Sequence, residues 1–114
     1  MIITTTPFVA GHRVTETKGQ VFGLVVRSRG LAGNITAAFR SLVGGEIHEY
    51  TELLEDTRRQ PVDRLVANAT RMGANAVISM LFDSSELNNS MSEIVAYGTA
   101  VVVEPDAAAA QAIE

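Results

Sequence analysis

Ser92-Glu-Ile-Val-Ala-Tyr-Gly-Thr-Ala-Val-Val-Val-Glu104 is apolar along both of its alternating faces. Successive side chains of a strand point to opposite sides, so Ile94, Ala96, Ala100 and Val102 share one face. Val95, Tyr97, Val101 and Val103 share the other. Its valine-rich, β-branched composition favours extended backbone, and a strand apolar on two faces requires cover on two faces. Before it stands a second strand-like run, Asn75-Ala-Val-Ile-Ser-Met-Leu-Phe82, followed by the polar, turn-rich Asp83-Ser-Ser-Glu-Leu-Asn-Asn-Ser90. The pair reads as a hairpin with a loose loop, with Asp83 capping the turn after Phe82.

Working outward, Val21-Phe-Gly-Leu-Val-Val26 is another nearly continuous apolar strand, closed by Arg27-Ser-Arg-Gly30. Ile2-Ile3-Thr4-Thr5 reads as a short first strand ended by Pro7. Residues 8–20 are mixed, with Gly11 and Gly19 as expected turn positions. Residues 31–43 carry only a weak helical period, broken by Gly44-Gly45. From Glu46 the period is clear: Ile47, Tyr50, Leu53 and Leu54 form a stripe that resumes at Val62, Leu65, Val66, Ala69 and Met72 and stops at Gly73. Pro61 interrupts it and predicts a kink or a restart. The fold class is therefore α+β: a two-layer sandwich, mainly antiparallel sheet under one long helix, in β-β-α-β-β order. One helix covers one face only. The other face predicts burial against further copies of the chain, or against residues 31–43.

Composition narrows the function classes. The chain has 114 residues, 46% hydrophobic, 19% charged and without cysteine. One domain is expected, residues 1–104, with 105–114 as a tail that frays or forms a short helix. Zero cysteine removes disulfides, thiolate metal sites and a Cys nucleophile. Residues 1–60 carry seven Lys/Arg against six Asp/Glu, and residues 61–114 carry two against seven. Neither half has the basic footprint of a nucleic-acid binder. The N-terminus has no signal-peptide pattern and no apolar run approaches the ~18 residues of a membrane span, so a cytoplasmic protein without nucleic-acid or membrane partners is expected.

Three segments carry a resemblance: Leu42-Val-Gly-Gly-Glu-Ile-His-Glu-Tyr-Thr-Glu-Leu-Leu54, Met72-Gly-Ala-Asn-Ala-Val-Ile78, and Glu93-Ile-Val-Ala-Tyr-Gly-Thr-Ala-Val101 with Phe82-Asp83 before it. In this order and spacing the chain resembles the YbjQ-like family of small bacterial and archaeal proteins, over roughly residues 2–103. The resemblance implies a dodecin-subunit-like fold, ring-shaped homopentamers and a heavy-metal-binding label, but names no reaction. The chain departs from that pattern at Pro61. It departs again at Ser79-Met80-Leu81, where a glycine and an arginine are usual.

The candidate sites follow from residue chemistry. His48 and Glu52 are one helical turn apart, with Glu49 beside them, and could ligate a borderline metal; a closed zinc site needs more ligands than one chain supplies here. Gly44-Gly45-Glu46 offers either an anion-binding helix start or a sharp bend that lets chains pack closely. Arg27 and Arg29 project to one side and suit a phosphate, a carboxylate or a salt bridge to Glu46 or Glu49 of a neighbouring chain. Tyr97 lines a pocket or packs at an interface, and Gly98 marks a bulge or a close backbone approach. The resulting expectation is a non-catalytic homo-oligomeric ring that binds a small ligand or ion between subunits. The alternatives are a metal-binding protein using His48 and the neighbouring carboxylates, or an enzyme with Arg27, Arg29 and Tyr97 at an interface. No cofactor is indicated.

Overall fold

The computed structural model describes residues 1–28, 48–88 and 91–107, with side-chain surroundings for all of these except 28 and 48–53. The elements are β1 (Ile2–Ile3), β2 (His12–Ser28), α1 (His48–Arg71), β3 (Ala76–Asn88) and β4 (Met91–Pro105). They make one four-stranded sheet in the order β1-β3-β4-β2, with α1 packed on one face. β1 runs parallel to β3, and the other two pairings are antiparallel. The expected α+β class and β-β-α-β-β order hold.

The central strand is β4, the doubly apolar stretch. Its even face lies under the helix: Ala96 and Ala100 join Val21, Val77, Leu65 and Ala69 in the main core. Its odd face is covered at one end by its own chain. Val9 packs there with Ala76, Val101 and Val103. The cover for this part of the face is thus the N-terminal segment, which neither expected source, a second copy or residues 31–43, had included. Backbone bonds tie that segment to β3: Thr4 N–H donates to the Val77 carbonyl (2.9 Å) and Ser79 N–H donates to the Thr6 carbonyl (2.9 Å).

The long strands depart from the sequence expectation. β2 begins at His12, not Val21. Gly11, at φ 73°, does make the turn before it, but Gly19 lies within the strand at a register shift next to Lys18. β3 does not stop at Phe82. It continues through the polar stretch to Asn88, which pairs with Met91, because β4 offers ladder partners along that whole length. Asp83 is accordingly a strand residue, and its Oδ1 accepts the Ser84 N–H at 2.9 Å rather than capping a turn.

A bulge opposite Gly98 sets which side chains share a face. Ile78 pairs with Thr99 and Leu81 pairs with Tyr97, so Ser79 and Met80 together oppose Gly98. Added at Gly98, a Cβ would sit 2.9 Å from both the Ile78 carbonyl oxygen and Val77 Cγ1. The expected close approach is real, and the bulge belongs to the facing strand. Ser79 has φ 54°, the left-handed region that favours glycine. It stands in the stretch where the family resemblance leads one to expect a glycine.

The helix assignment runs unbroken through Pro61, so no restart occurs there. Pro61 and Leu65 are fully buried, one turn apart, with Ala69 a turn beyond. They meet the sheet at Gly23 of β2, where a Cβ would overlap the Pro61 carbonyl oxygen and the Leu65 backbone nitrogen. The helix ends in a Schellman motif: Ala74 N–H donates to the Ala69 carbonyl (3.1 Å), Gly73 N–H donates to the Thr70 carbonyl (3.0 Å), and Gly73 takes φ 82°. Asn75 then stitches the helix exit to β4. Its Nδ2 donates to the Val103 carbonyl (3.0 Å) and its Oδ1 accepts the Val103 N–H (2.8 Å).

Two expectations follow. Gly23→Ala should destabilise the fold by about 3 kcal/mol, because neither the Pro61 carbonyl nor the Leu65 backbone can move aside without displacing the helix. Calorimetric melting should show a Tm drop of more than about 10 °C. Ser79→Gly should act in the opposite direction, raising stability by roughly 0.5–1 kcal/mol through relief of left-handed strain, read from the same melting curves.

Candidate functional site

Arg27 lies on the helix side of β2, in phase with Val21, Gly23 and Val25. Its Nη2 is 3.8 Å from Asp56 Oδ2 on α1. Arg27 is half-buried and Asp56 exposed, and at this separation the pair contributes about 1 kcal/mol or less. Tyr97 lies on the outer face. It pairs with Phe22 across the ladder, ring centroids 6.5 Å apart, and with Leu81 on its other side. Within one chain, Arg27 and Tyr97 therefore sit on opposite faces of the sheet. Arg29, Gly44, Gly45 and Glu46 lie outside the described residues. His48, Glu49 and Glu52 fall in the first turns of α1, with 48 and 52 one turn apart along the helix; their side chains lie outside the described set. No group of three or more His, Asp or Glu able to hold a metal occurs among the described residues. His12 Nδ1 lies 2.9 Å from the Ala10 carbonyl, a local contact beside the turn into β2.

Among the described residues, nothing covers the outer face around Tyr97. Phe22 (51%), Leu24 (42%), Val26 (48%) and Leu81 (53%) are exposed. Phe22, Leu24 and Val26 alternate along β2, and Leu81 joins them across the sheet through Tyr97. Directly opposite strand residues share a face, so these side chains form one continuous apolar surface.

A second feature was absent from the sequence reading. β2 is an edge strand, and a groove of about 500 Å³ runs along it beneath the helix, lined by Phe22, Leu24, Arg64, Ala67, Asn68 and Arg71. Asn68 Nδ2 donates to the Phe22 carbonyl (2.7 Å) and Arg64 Nη1 donates to the Leu24 carbonyl (2.9 Å). Arg71 Nη1 donates to Asn68 Oδ1 (2.8 Å). The signal for it was present as a polar stripe at positions 64, 68 and 71, beside the apolar stripe of Leu65, Ala69 and Met72.

With this geometry in place, similarity to known proteins can be stated. A family model, YbjQ_1, described as "Putative heavy-metal-binding", matches residues 1–104. The chain belongs to the YbjQ family. A UPF0145 protein of Bradyrhizobium sp. (strain ORS 278) is 62% identical over 105 residues, covering 92% of this chain and 95% of its own. An archaeal UPF0145 protein, from Methanoregula boonei, is 57% identical over 113 residues, covering 99% and 94%. Among solved structures, a protein of unknown function of the DUF74 family from Pediococcus pentosaceus matches at a TM-score of 0.58 and 18% identity, over 91% of this chain and 98% of that one. That likeness speaks to the fold alone.

The residues that identify the YbjQ family here have structural roles. Gly73 caps α1, Asn75 ties β3 to β4, and Gly98 makes room for the bulge. Ala76, Val77, Ala100 and Val101 are buried. Among the described residues, no helix is long and apolar enough to cross a membrane.

Proposed function

We propose that this YbjQ family chain is a non-catalytic, cytoplasmic ring protein, a homopentamer that binds a small ligand or ion where its subunits meet. The observation that carries this reading is the exposed outer face of Phe22, Leu24, Val26 and Leu81 around the half-buried Tyr97. Large exposed apolar surfaces mark sites of association, and a further copy of the same chain is always at hand to cover one. The pentameric order rests on the family resemblance. A ligand at such a junction would draw on Tyr97 from the apolar face, with Arg27, Arg29 and Gly44-Gly45-Glu46 as the polar candidates.

Light scattering at micromolar concentration should give a mass near five times the 12.2 kDa of one chain. Leu81→Glu, which places a charge in the middle of the apolar face without touching the core, should lower that mass. A wild-type monomer, or an unchanged mass in the variant, would count against the reading.

The family description, together with the one-turn spacing of positions 48 and 52, supports a second reading in which His48, Glu49 and Glu52 ligate a borderline metal. Calorimetric titration with zinc, copper and nickel should then show binding that His48→Ala removes. Equal, weak heats from both proteins would exclude it.

A further inference from the structure

The edge of β2 is chemically lopsided. In an antiparallel ladder the N–H and C=O of one residue point the same way, and alternate residues point toward and away from the partner. The carbonyls of Phe22 and Leu24 meet side chains of α1, so they face away from β4, along the free edge. Each carbonyl thereby accepts one hydrogen bond from the helix. Asn68 has used its carbonyl oxygen on Arg71 and one N–H on Phe22. Arg64 and Arg71 have each spent one N–H and keep most of their donors, and an arginine has no acceptor to offer. The groove therefore presents its remaining donors beside acceptors that each already hold one hydrogen bond.

Charge points the same way. Among the described residues no carboxylate lines the groove, and neither Arg64 nor Arg71 is ion-paired. Two uncompensated positive charges thus stand together on a chain of net charge −4. They lie seven residues apart on one side of α1, about 10 Å along the axis, with Asn68 between them. Phe22, Leu24 and Ala67 supply the apolar part of the lining. Occupied carbonyls at 22 and 24 also argue against an added β-strand, which would need those acceptors for its own N–H groups.

We propose that this groove is a binding site for a small organic anion, a carboxylate or phosphate ester held by the Arg64 and Arg71 guanidiniums with its apolar body along Phe22, Leu24 and Ala67. Planar guanidinium forks match both anion types, and the apolar lining favours an ester over the bare ion. All of its lining residues come from one chain, and Phe22 and Leu24 belong also to the apolar face proposed above to meet a neighbouring copy.

The test is a titration of the isotope-labelled protein with phenyl phosphate, benzoate and inorganic phosphate, following the arginine side-chain signals by NMR. Phenyl phosphate or benzoate should shift Arg64 and Arg71 saturably, with a dissociation constant on the order of a millimolar. Inorganic phosphate should bind several-fold more weakly, and added salt should weaken all three. Which organic anion binds more tightly distinguishes the phosphate-ester class from the carboxylate class. Arg71→Gln is the decisive variant, because among the described residues Arg71 hydrogen-bonds Asn68 and neither edge carbonyl, so both carbonyls stay capped. It should weaken binding about tenfold. Arg59→Gln, on the same helix but outside the groove, should leave it unchanged. Absence of saturable shifts, or equal affinity in Arg71→Gln and wild type, would overturn the proposal. So would a groove closed to the probes by a neighbouring copy, seen as a site that responds only in a dissociated Leu81→Glu protein.

Discussion

The packing of α1 against β2 at Gly23 is the constraint around which the rest of the fold is arranged. Where helix and sheet usually face each other through two layers of side chains, here the helix backbone at Pro61 and Leu65 comes into direct contact with strand backbone. That proximity brings Ala69 within reach of Val21 and lets small residues, Ala96 and Ala100, fill the space between the layers. It also draws Arg64 and Asn68 over the edge of β2, close enough to take the Phe22 and Leu24 carbonyls. A larger residue at position 23 would lift the helix and open both the core and the edge. Pro61 gives up one ladder donor of the helix interior, while its buried ring adds apolar volume against the sheet.

The two faces of the sheet then have different fates. The helix side is filled. The outer side, among the described residues, is covered at one end by Val9 and exposed at the other, where Phe22, Leu24, Val26 and Leu81 surround Tyr97. The same strand β2 thus takes part in three surfaces: a core contact through Val21 and Gly23, an apolar face through Phe22 and Leu24, and a donor-rich edge through their capped carbonyls. The capped edge resists indiscriminate strand pairing, a hazard for any long edge strand. It leaves the apolar face and the arginine groove as the features with chemistry to offer.

Among the described residues, several positions of the YbjQ family motifs act through structure. Gly73, Asn75, Gly98 and the small buried residues around them fix a helix exit, a strand crossing and a bulge. Such positions are legible in sequence because each demands a particular residue type at a particular spacing. Arg64 and Arg71 are not legible in that way. An arginine on a helix surface is ordinary until the neighbouring strand edge is known, and the heavy-metal description of the family gave no reason to look at them.

Local chemistry was enough to establish the class of the fold, the element order, the helix stop at Gly73 and the turn at Gly11. Periodicity, β-branching and glycine each act over a few residues, and the sequence displays them directly. What depended on the assembled sheet were the properties set by pairing between distant segments. β3 extends to Asn88 because β4 lies beside it, not because Asp83–Asn88 prefer a strand. The two residues opposite Gly98 shift the alternation along β3, so that Leu81, not Phe82, joins Tyr97 on the outer face. Val9 covers Val101 and Val103 because β1 places the N-terminal segment across β3. A period of two read along one strand cannot anticipate a bulge imposed by its neighbour, and no local pattern reports which helix side chain will meet a free strand edge.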